Sequence, residues 1–468
     1  MIVEQIYTGC LAQGAYYIES EGEAAVIDPL REPSPYLERA ARNEAKIKYV
    51  LETHFHADFV SGHLDLAAKS GAKIVYGPNA ETGFDTHVAT DGEILKVGKL
   101  SIVVIHTPGH TMESTTYLLR DEEGKDHAIF TGDTLFIGDV GRPDLAQKGA
   151  SMTQEEMAGH LFDSLRNKLM TLHDDVIVYP AHGAGSPCGK NMSSETSATL
   201  GNQKQFNYAL RADMSRDEFI KEVTDGLTPP PKYFPKNVML NKQGYDSFDN
   251  VMDRGLNPLS PEEFETLVES REALIIDTRN QPDFIKGFVP GSVFIGLNGN
   301  FAPWVGTLVP NIEQPIVLVT EEGKEEEAVR RLSRVGYDNC MGFLQGGVEA
   351  WKNSGRELDQ IEQIAPEALA SSFENLDGQI LDVRKPGEYA NGHLPGVPLF
   401  SLDYINDNMA EIKPDQKYYL HCKSGYRSTV AISILKSRGF HNLVNAGGGF
   451  DALSQILPVT TDMPEPQS

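Results

Sequence analysis

Residues 49–59 read Tyr49-Val50-Leu51-Glu52-Thr53-His54-Phe55-His56-Ala57-Asp58-Phe59. The apolar run at the start of this stretch predicts a short β-strand. His54 and His56 are two residues apart and Asp58 follows two residues later, so the three side chains cannot share one face of a helix, on which neighbours are three or four residues apart. They suit a tight loop at the end of the strand, and such a loop can wrap around a metal ion.

Three further candidate ligands follow, each just past a predicted strand or inside a short polar loop. His110 lies in Thr107-Pro108-Gly109-His110-Thr111, Asp133 in Thr131-Gly132-Asp133-Thr134 and His182 in Pro180-Ala181-His182-Gly183. The strands alternate with predicted helices, for instance over residues 35–43 and 153–172. This alternation is typical of an α/β protein whose site is built from loops at strand ends.

The order and spacing of these motifs resemble the metal-binding signature of the metallo-β-lactamase superfamily. That signature reads H-x-H-x-D-H, and its last histidine helps to hold a second metal ion. This chain has Phe59 at that position, and a phenyl ring cannot ligate. The resemblance therefore points to the single-metal branch of the superfamily, the persulfide dioxygenases, and implies an αββα sandwich over residues 1–250.

The same resemblance implies one Fe(II) ion per chain, held by His54, His110 and Asp133. Two neutral imidazoles and one carboxylate are typical of non-haem Fe(II) oxygenases and leave positions open for substrate and O₂. The sequence also allows His56 to replace Asp133, which would give a three-histidine zinc site. The other polar residues of the motifs are expected to orient the ligands or to exchange protons with them: His56, Asp58 and His182.

Two residues outside the ligand set are candidates for substrate binding. Arg142 resembles the arginine of a glycine–arginine motif near the substrate channel of this family, and the alternative is a structural ion pair with Asp144. Cys188 lies in a glycine-rich loop with Lys190 nearby, which could favour the thiolate. It either carries sulfane sulfur at the mouth of the metal site or is a small buried hydrophobe.

The chain beyond residue 250 contains two copies of one pattern. Ile276-Asp277-Thr278-Arg279 matches Leu381-Asp382-Val383-Arg384, and Gly287-Phe288-Val289-Pro290-Gly291 matches Gly392-His393-Leu394-Pro395-Gly396 at the same offset. Alternating strands and helices in each copy indicate two small doubly wound α/β domains. We expect them to span 251–357 and 358–460, with a disordered tail over 461–468.

The second copy contains a loop suited to sulfur transfer. His421-Cys422-Lys423-Ser424-Gly425-Tyr426-Arg427-Ser428 lies between a predicted strand and a predicted helix. The backbone N–H groups of such a loop point inwards and the helix N-terminus adds positive potential. The loop can therefore stabilise a cysteine thiolate and hold a persulfide, the alternative being an inert buried cysteine.

This loop closely resembles the active loop of rhodaneses, and the Asp-x-Arg and Gly-His-Leu-Pro-Gly motifs upstream match that family as well. Phosphatases on a related scaffold use a loop that is one residue longer, so the spacing favours sulfur over phosphorus. The resemblance implies two sets of site residues. The catalytic set comprises Cys422, Arg427, Asp382 and Arg384. The substrate-binding set in the loop comprises Lys423, Ser424, Gly425 and Tyr426.

The first copy lacks the cysteine. At the corresponding place it has Val319-Thr320-Glu321-Glu322-Gly323-Lys324, which contains no thiol and is acidic. Carboxylates beside a helix start repel anionic substrates. We therefore predict an inactive rhodanese-like domain that serves as a scaffold, a spacer or a contact between subunits of a homo-oligomer.

The composition excludes several classes of partner. Lys and Arg number 41 against 67 Asp and Glu, so the formal net charge of −26 repels nucleic acid and anionic membrane surfaces. The four cysteines form no C-x-x-C pair, which fits reduced thiols in a cytosol. With no basic leader followed by an apolar stretch and no apolar run of membrane-spanning length, we expect a soluble cytoplasmic protein.

The two resemblances together imply two coupled activities in hydrogen sulfide detoxification. The iron site would oxidise a low-molecular-weight thiol persulfide with O₂ to sulfite, a redox step that zinc does not offer. Cys422 would move sulfane sulfur onto sulfite, giving thiosulfate, or from thiosulfate onto a thiol. One alternative is a zinc-dependent hydroxyacylglutathione hydrolase of the glyoxalase II type with accessory rhodanese domains. The other is a sulfur-relay or sensing module whose metal is structural.

Overall fold

The structure, a computed structural model, describes residues 1–145 and 151–462. The chain divides into two compact units. The first comprises Met1–Asn250 with Ser333–Gly336, and the second comprises Val251–Leu332 with Tyr337–Ser468. The predicted tail lies outside the described residues from residue 463 onwards. None of the helices in the described ranges has the length and apolar character that a bilayer span requires.

The first unit contains two six-stranded sheets within the described residues. The first sheet has the order β1-β2-β3-β4-β5-β6 and the second the order β12-β11-β10-β9-β8-β7. Their strands are β1 Ile2–Thr8, β2 Gln13–Ser20, β3 Glu23–Ile27, β4 Lys46–Leu51, β5 Lys73–Tyr76, β6 His87–Val88, β7 Ile94–Val97, β8 Leu100–His106, β9 Thr115–Arg120, β10 Asp126–Gly132, β11 Ile177–Pro180 and β12 Ala198–Thr199.

Helices cover the outer faces of both sheets, and the main apolar core lies between the sheets. Residues of both sheets, among them Ile18, Leu51 and Phe130, meet in that core. The helices of this part of the chain are α1 Ser34–Arg42, α2 His63–Ser70, α3 Gln154–Asn167, α4 Leu200–Phe206, α5 Arg216–Thr224, α6 Phe234–Gln243 and α7 Phe248–Gly255, the last of which begins in the first unit and ends in the second. Helices α1 and α2 pack against the first sheet, and α3 and α5 against the second. The predicted αββα sandwich is thus confirmed.

Up to residue 462, where the description of the chain ends, the second unit contains two smaller parallel sheets, one from each copy of the repeat. Their strand orders are β13-β17-β16-β14-β15 and β18-β21-β20-β19. The strands are β13 Pro258–Leu259, β14 Leu274–Asp277, β15 Val293–Phe294, β16 Ile316–Val319, β17 Cys340–Leu344, β18 Glu362–Ile364, β19 Gln379–Asp382, β20 Tyr418–His421 and β21 Leu443–Ala446.

Helices separate the parallel strands of each copy, as parallel pairing requires. In the first copy they are α8 Pro261–Arg271, α9 Gln281–Lys286, α10 Phe301–Leu308, α11 Glu325–Ser333 and α12 Gly347–Asn353; in the second they are α13 Pro366–Ser371, α14 Pro386–Ala390, α15 Tyr426–Ser437 and α16 Gly449–Leu453. The prediction of two rhodanese-like α/β domains is confirmed.

Two glycines let the loops of the candidate metal site approach each other closely. Gly132 ends β10 with φ of +53°, and a Cβ there would lie 2.5 Å from Thr53 Oγ1. A Cβ on Gly141 would overlap the carbonyl oxygen of Asp133. Only a residue without a side chain allows these contacts.

Candidate functional site

Three potential metal ligands meet at the ends of strands in the first unit. His54 follows β4, His110 follows β8 and Asp133 follows β10, and one ligand atom of each lies within 4.8 Å of the others. Asp133 Oδ2 is 3.8 Å from His54 Nε2 and 3.6 Å from His110 Nε2. All three side chains are buried, so the cluster joins two imidazoles and one carboxylate away from bulk water.

Hydrogen bonds orient both imidazoles so that Nε2 faces the carboxylate. Thr53 Oγ1 donates its single proton to Asp28 and lies 3.0 Å from His54 Nδ1, so it accepts the Nδ1 proton. His110 Nδ1 lies 2.9 Å from the carbonyl oxygen of Arg142 and therefore donates to it. In both rings the Nε2 lone pair is left to bind a metal ion.

The third group, Asp133, has the electrostatics of a metal ligand. Burial by itself raises the pKa of its carboxyl group, but the surrounding histidines, His182 first, outweigh burial and hold the pKa well below its usual range. Within the described residues its Oδ2 has no hydrogen-bond partner. A buried carboxylate oxygen without a partner is costly, and a divalent cation would satisfy it. The residues therefore fit a divalent metal ion.

His182 lies between two carboxylates. Its Nδ1 is 2.7 Å from Asp133 Oδ1 and its Nε2 is 2.8 Å from Asp58 Oδ2. Burial lowers the pKa of His182, but the two carboxylates outweigh burial and raise it well above the ordinary value. The arrangement holds Asp133 by one oxygen and leaves the other facing His54 and His110.

His56 belongs to a different group of buried side chains. Its Nε2 is 3.1 Å from Asp28 Oδ1 and 3.7 Å from Glu52 Oε2. Burial, followed by the charge of Asp28, raises the pKa of Glu52 well above its ordinary value. His56 thus faces this acidic pair rather than the position between His54 and His110. Sequence reasoning missed both carboxylates, although Asp28 follows the apolar run at the end of β3.

Phe59 is buried within the same region. Its ring centroid lies 4.3 Å from that of His56 and 6.3 Å from that of His182, and its side chain is 0% exposed. The ring therefore fills apolar space beside Asp58, where it offers no donor to a metal ion.

Arg142 is engaged inside the protein. Its guanidinium group makes two hydrogen bonds with Asp144, of 2.8 and 2.7 Å, and donates to the carbonyl oxygens of Pro187 and Thr228. The side chain is 5% exposed. Four of its five N–H donors are already used by the protein, which weighs against the expectation that Arg142 binds substrate. The alternative, a structural ion pair with Asp144, agrees with these contacts. The backbone carbonyl group of Arg142 also orients the His110 ring.

Cys188 lies close to Asp58 and His182. Its Sγ, one carboxylate oxygen of Asp58 and one ring nitrogen of His182 are all within 4.8 Å of one another. Burial, followed by the charges of Asp58 and Asp133, raises the pKa of its thiol well above the ordinary value. Lys190 donates instead to the carbonyl oxygens of Glu222 and Asp225. The sequence-based expectation that this lysine favours a Cys188 thiolate is therefore not met.

The second candidate site lies in the second unit at the end of β20. Cys422 opens the loop before α15, and the N–H of Gly425 donates to its Sγ over 3.1 Å. Ser428 Oγ lies 3.7 Å from the same sulfur. Gly449, with φ of +57°, packs so closely that a Cβ would lie 2.6 Å from the carbonyl oxygen of Cys422. The loop thus places one backbone donor, the N–H of Gly425, and one hydroxyl group, that of Ser428, beside a buried thiol.

The charged groups at the rim of this loop are Lys423, Arg427 and Glu388. Lys423 and the adjacent Ser424 are exposed. The Arg427 guanidinium group makes hydrogen bonds of 2.5 and 2.8 Å with the Glu388 carboxylate. These bonds lower the pKa of Glu388 to about 2. Sequence reasoning missed Glu388. Its ion pair with Arg427 makes it part of the candidate site.

Asp382 and Arg384 form a buried ion pair in the copy that contains Cys422. Arg384 bonds both oxygens of Asp382 and donates to the carbonyl oxygen of Gly392. Asp277 and Arg279 make the same set of contacts in the copy that lacks a cysteine. Because the same arrangement exists where no thiol is present, it favours a structural role for this pair, and the catalytic role that the resemblance implies for Asp382 and Arg384 stays a prediction.

Comparisons with known proteins agree with this division of the chain. A model of the metallo-beta-lactamase superfamily matches residues 8–182, and a model of the rhodanese-like domain matches residues 260–354 and 365–455. A metallo-beta-lactamase structure from Staphylococcus aureus is 30% identical, with a TM-score of 0.64, and the match covers 74% of this chain and 98% of the other.

The curated relatives include persulfide dioxygenases and hydroxyacylglutathione hydrolases. A mitochondrial persulfide dioxygenase of Mus musculus is 31% identical over 47% of this chain and 78% of its own length. A probable hydroxyacylglutathione hydrolase of Schizosaccharomyces pombe is 28% identical over 48% of this chain and 91% of its own length. These matches, together with the group of candidate metal ligands and the cysteine loop, place the chain in the metallo-β-lactamase superfamily, as an enzyme related to the persulfide dioxygenases that carries two rhodanese-like domains.

Proposed function

We propose that the protein is a non-haem iron persulfide dioxygenase with a sulfurtransferase site at Cys422. The observation that carries the proposal is the buried cluster of His54, His110 and Asp133, in which two oriented imidazoles face one carboxylate oxygen without a hydrogen-bond partner among the described residues. This ligand set is typical of Fe(II) oxygenases.

The overall reaction balances as RSSH + O₂ + H₂O → RSH + SO₃²⁻ + 2H⁺, where RSSH is a low-molecular-weight thiol persulfide. Bound Fe(II) would supply the redox chemistry and the open coordination positions for O₂ and the terminal sulfur. The protein itself supplies the groups that hold the metal ligands in place. Thr53 and the carbonyl group of Arg142 hold the two histidine rings. His182, held between Asp58 and Asp133, keeps Asp133 oriented towards His54 and His110.

Cys422 is proposed to carry sulfane sulfur as a persulfide. Attack of sulfite on the outer sulfur breaks the S–S bond, so Cys422–S–S⁻ and SO₃²⁻ give Cys422–S⁻ and S₂O₃²⁻. The reverse reaction loads Cys422 from thiosulfate for delivery to a thiol. The N–H of Gly425 and the N-terminus of α15 stabilise the negative sulfur in both directions.

The hydrolase relatives support a second candidate, a zinc-dependent hydroxyacylglutathione hydrolase. Such an enzyme activates water on its metal ion. Phe59 weighs against the two-metal form of that site, because the ring is buried beside Asp58 and cannot ligate. We favour the dioxygenase for this reason and because the chain carries a cysteine loop for sulfur.

The test is O₂ uptake by anaerobically purified, iron-loaded protein given glutathione persulfide, with metal content measured on the same sample. Uptake that tracks iron and yields sulfite or thiosulfate is expected. No uptake, together with bound zinc and hydrolysis of S-lactoylglutathione, would replace the dioxygenase by the hydrolase.

Two variants separate the sites. Cys422→Ser should abolish sulfur transfer and preserve O₂ uptake with supplied persulfide, whereas Asp133→Ala should do the reverse. Matched controls are Cys340→Ser, at a buried cysteine of the first copy, and Asp174→Ala, at a carboxylate whose side chain is 74% exposed. Loss of both activities in either site variant would contradict the two-site model.

A further inference from the structure

The copy without a cysteine donates a hydrogen bond to the cysteine loop of the other copy. Gln281, the first residue of α9, donates from Nε2 to the carbonyl oxygen of Gly425 over 2.9 Å and to Thr429 Oγ1 over 2.8 Å. Both copies belong to the second unit. The contact therefore joins the degenerate copy to the residue that directly precedes α15.

The Gly425 carbonyl group belongs to the peptide unit at the start of α15, so a hydrogen bond to its oxygen fixes the orientation of that peptide. In a trans peptide the C=O and N–H groups point in opposite directions. With its oxygen held by Gln281 and by the first turn of α15, the Gly425–Tyr426 peptide directs the Tyr426 N–H out of the N-terminal end of the helix. The Cys422 loop lies at that end, and the N–H of Gly425 itself donates to Sγ.

The backbone of Gly425 has high conformational freedom. Its φ of +114° lies in a region that glycine adopts freely, and a glycine peptide has many accessible orientations. A Cβ at this position would lie 3.3 Å from Gln281 Nε2. The hydrogen bond from Gln281 thus restrains the residue of the loop that is most free to rotate.

Two more contacts hold α15 against the same copy. The N–H of Gly296 donates to Tyr426 Oη over 3.0 Å, and the N–H of Phe294 donates to Ser433 Oγ over 2.9 Å. The rings of Phe294 and Tyr426 also meet, with centroids 5.3 Å apart. Tyr426 therefore faces the neighbouring copy, in contrast to its expected role in substrate binding.

We propose that Gln281 is a positioning residue for sulfur transfer and that the degenerate copy is in this way a working part of the Cys422 site. The inference rests on the proposed role of Cys422. By fixing the Gly425–Tyr426 peptide, Gln281 keeps backbone dipoles aimed at the sulfur, so that the thiolate and the persulfide are stabilised.

The test uses the full-length protein with Gln281→Met, which keeps the length of the side chain and removes its donor. The turnover number for transfer from thiosulfate to glutathione should fall about three- to ten-fold, the effect of one hydrogen bond, with little change in KM for thiosulfate. Iodoacetamide should alkylate Cys422 more slowly by a similar factor, measured on the Cys422 peptide by mass spectrometry, because the thiolate is the reacting form.

The matched control is Gln314→Met. Gln314 lies in the same copy and donates to the carbonyl oxygen of Glu272, so both readouts should equal those of the wild type. General loosening of the unit would instead expose Cys422, which is 1% exposed, and would speed alkylation. Faster alkylation, or wild-type turnover and alkylation in Gln281→Met, would overturn the inference.

The two proposals fail separately. If the wild-type protein transfers no sulfur, the function proposed for Cys422 is wrong, and the alkylation rates of wild type and variant still decide whether Gln281 positions the loop. If the wild type transfers sulfur and the variant does so equally well, only the role of Gln281 is wrong.

Discussion

Replacing Thr53 by valine removes one hydroxyl group at the metal cluster and leaves the shape of the side chain almost unchanged. The hydroxyl donates to Asp28 Oδ2 over 2.8 Å and lies 3.0 Å from His54 Nδ1. Since its only proton goes to the carboxylate, it accepts the proton of His54 Nδ1. In the Thr53→Val protein that proton is free to move to Nε2, and a protonated Nε2 cannot bind a metal ion.

The size of the effect follows from these contacts. Loss of a partner that orients a metal-binding histidine lowers metal affinity about 10- to 100-fold. At about 1.36 kcal/mol per tenfold this corresponds to about 1.4–2.7 kcal/mol, which agrees with two lost hydrogen bonds of about 0.5–1.5 kcal/mol each. We therefore expect Fe(II) to bind Thr53→Val about 10- to 100-fold more weakly, with O₂ uptake largely recovered at saturating Fe(II).

The assay is an anaerobic Fe(II) titration against a competing chelator, followed by O₂ uptake on the same samples. The matched control is Thr116→Val, which removes another buried hydroxyl in the same unit, one that lies 3.2 Å from Thr107 Oγ1. Its iron affinity should be unchanged. Wild-type affinity in Thr53→Val would refute the reasoning, and equal losses in both variants would indicate general destabilisation of the unit.

Three other outcomes follow from the charged pairs. Glu388→Gln should lower KM for thiosulfate about two- to five-fold at low ionic strength, since Arg427 is left unpaired beside an anionic substrate. A higher KM in steady-state assays would mean that Glu388 chiefly holds Arg427 in place. The pKa of Glu388 is lowered from its ordinary value of 4.5 to about 2, so the pair stabilises the folded state fully above pH 4.5 and progressively less as the pH falls towards 2. Acid titration of unfolding should therefore be flatter for Glu388→Gln over that range, by a small amount because the Glu388 side chain is 35% exposed. Arg142→Lys should destabilise the first unit by about 1–3 kcal/mol in urea unfolding, because one ammonium nitrogen cannot replace the four hydrogen bonds that Nε, Nη1 and Nη2 make to Asp144, Pro187 and Thr228. An unchanged stability with a raised KM for persulfide would restore the substrate-binding role of Arg142.

Most of the fold was predictable because it is encoded locally. Apolar runs such as Tyr49-Val50-Leu51 mark strands, and the residues that follow them lie at strand ends in the structure. The repeat beyond residue 250 predicted two similar α/β domains for the same reason. The His54, Asp133 and Cys422 motifs could be identified since each depends on residue types at short, fixed spacing.

Roles that depend on distant partners were not predictable in this way. The sequence favoured a substrate as the partner of Arg142, with an ion pair as the alternative. In the structure the carbonyl oxygen of Thr228, 86 positions away, is one of the groups that bond to it. Lys190 is near Cys188 in sequence but donates to other carbonyl oxygens. A side chain has several rotamers of similar energy, and the groups that select among them come from other elements.

The sequence by itself determined the order of the domains, the strand-end position of the candidate ligands and the presence of the Cys422 loop, since these follow from local pattern and spacing. Only the tertiary structure decided that His56 turns towards Asp28 while Asp133 faces His54 and His110. It likewise decided that Gln281 reaches Gly425, 144 positions along the chain. The reason is that hydrogen-bond partners of buried side chains are chosen by packing in three dimensions, where each buried donor and acceptor must be satisfied by whichever group the fold brings within reach.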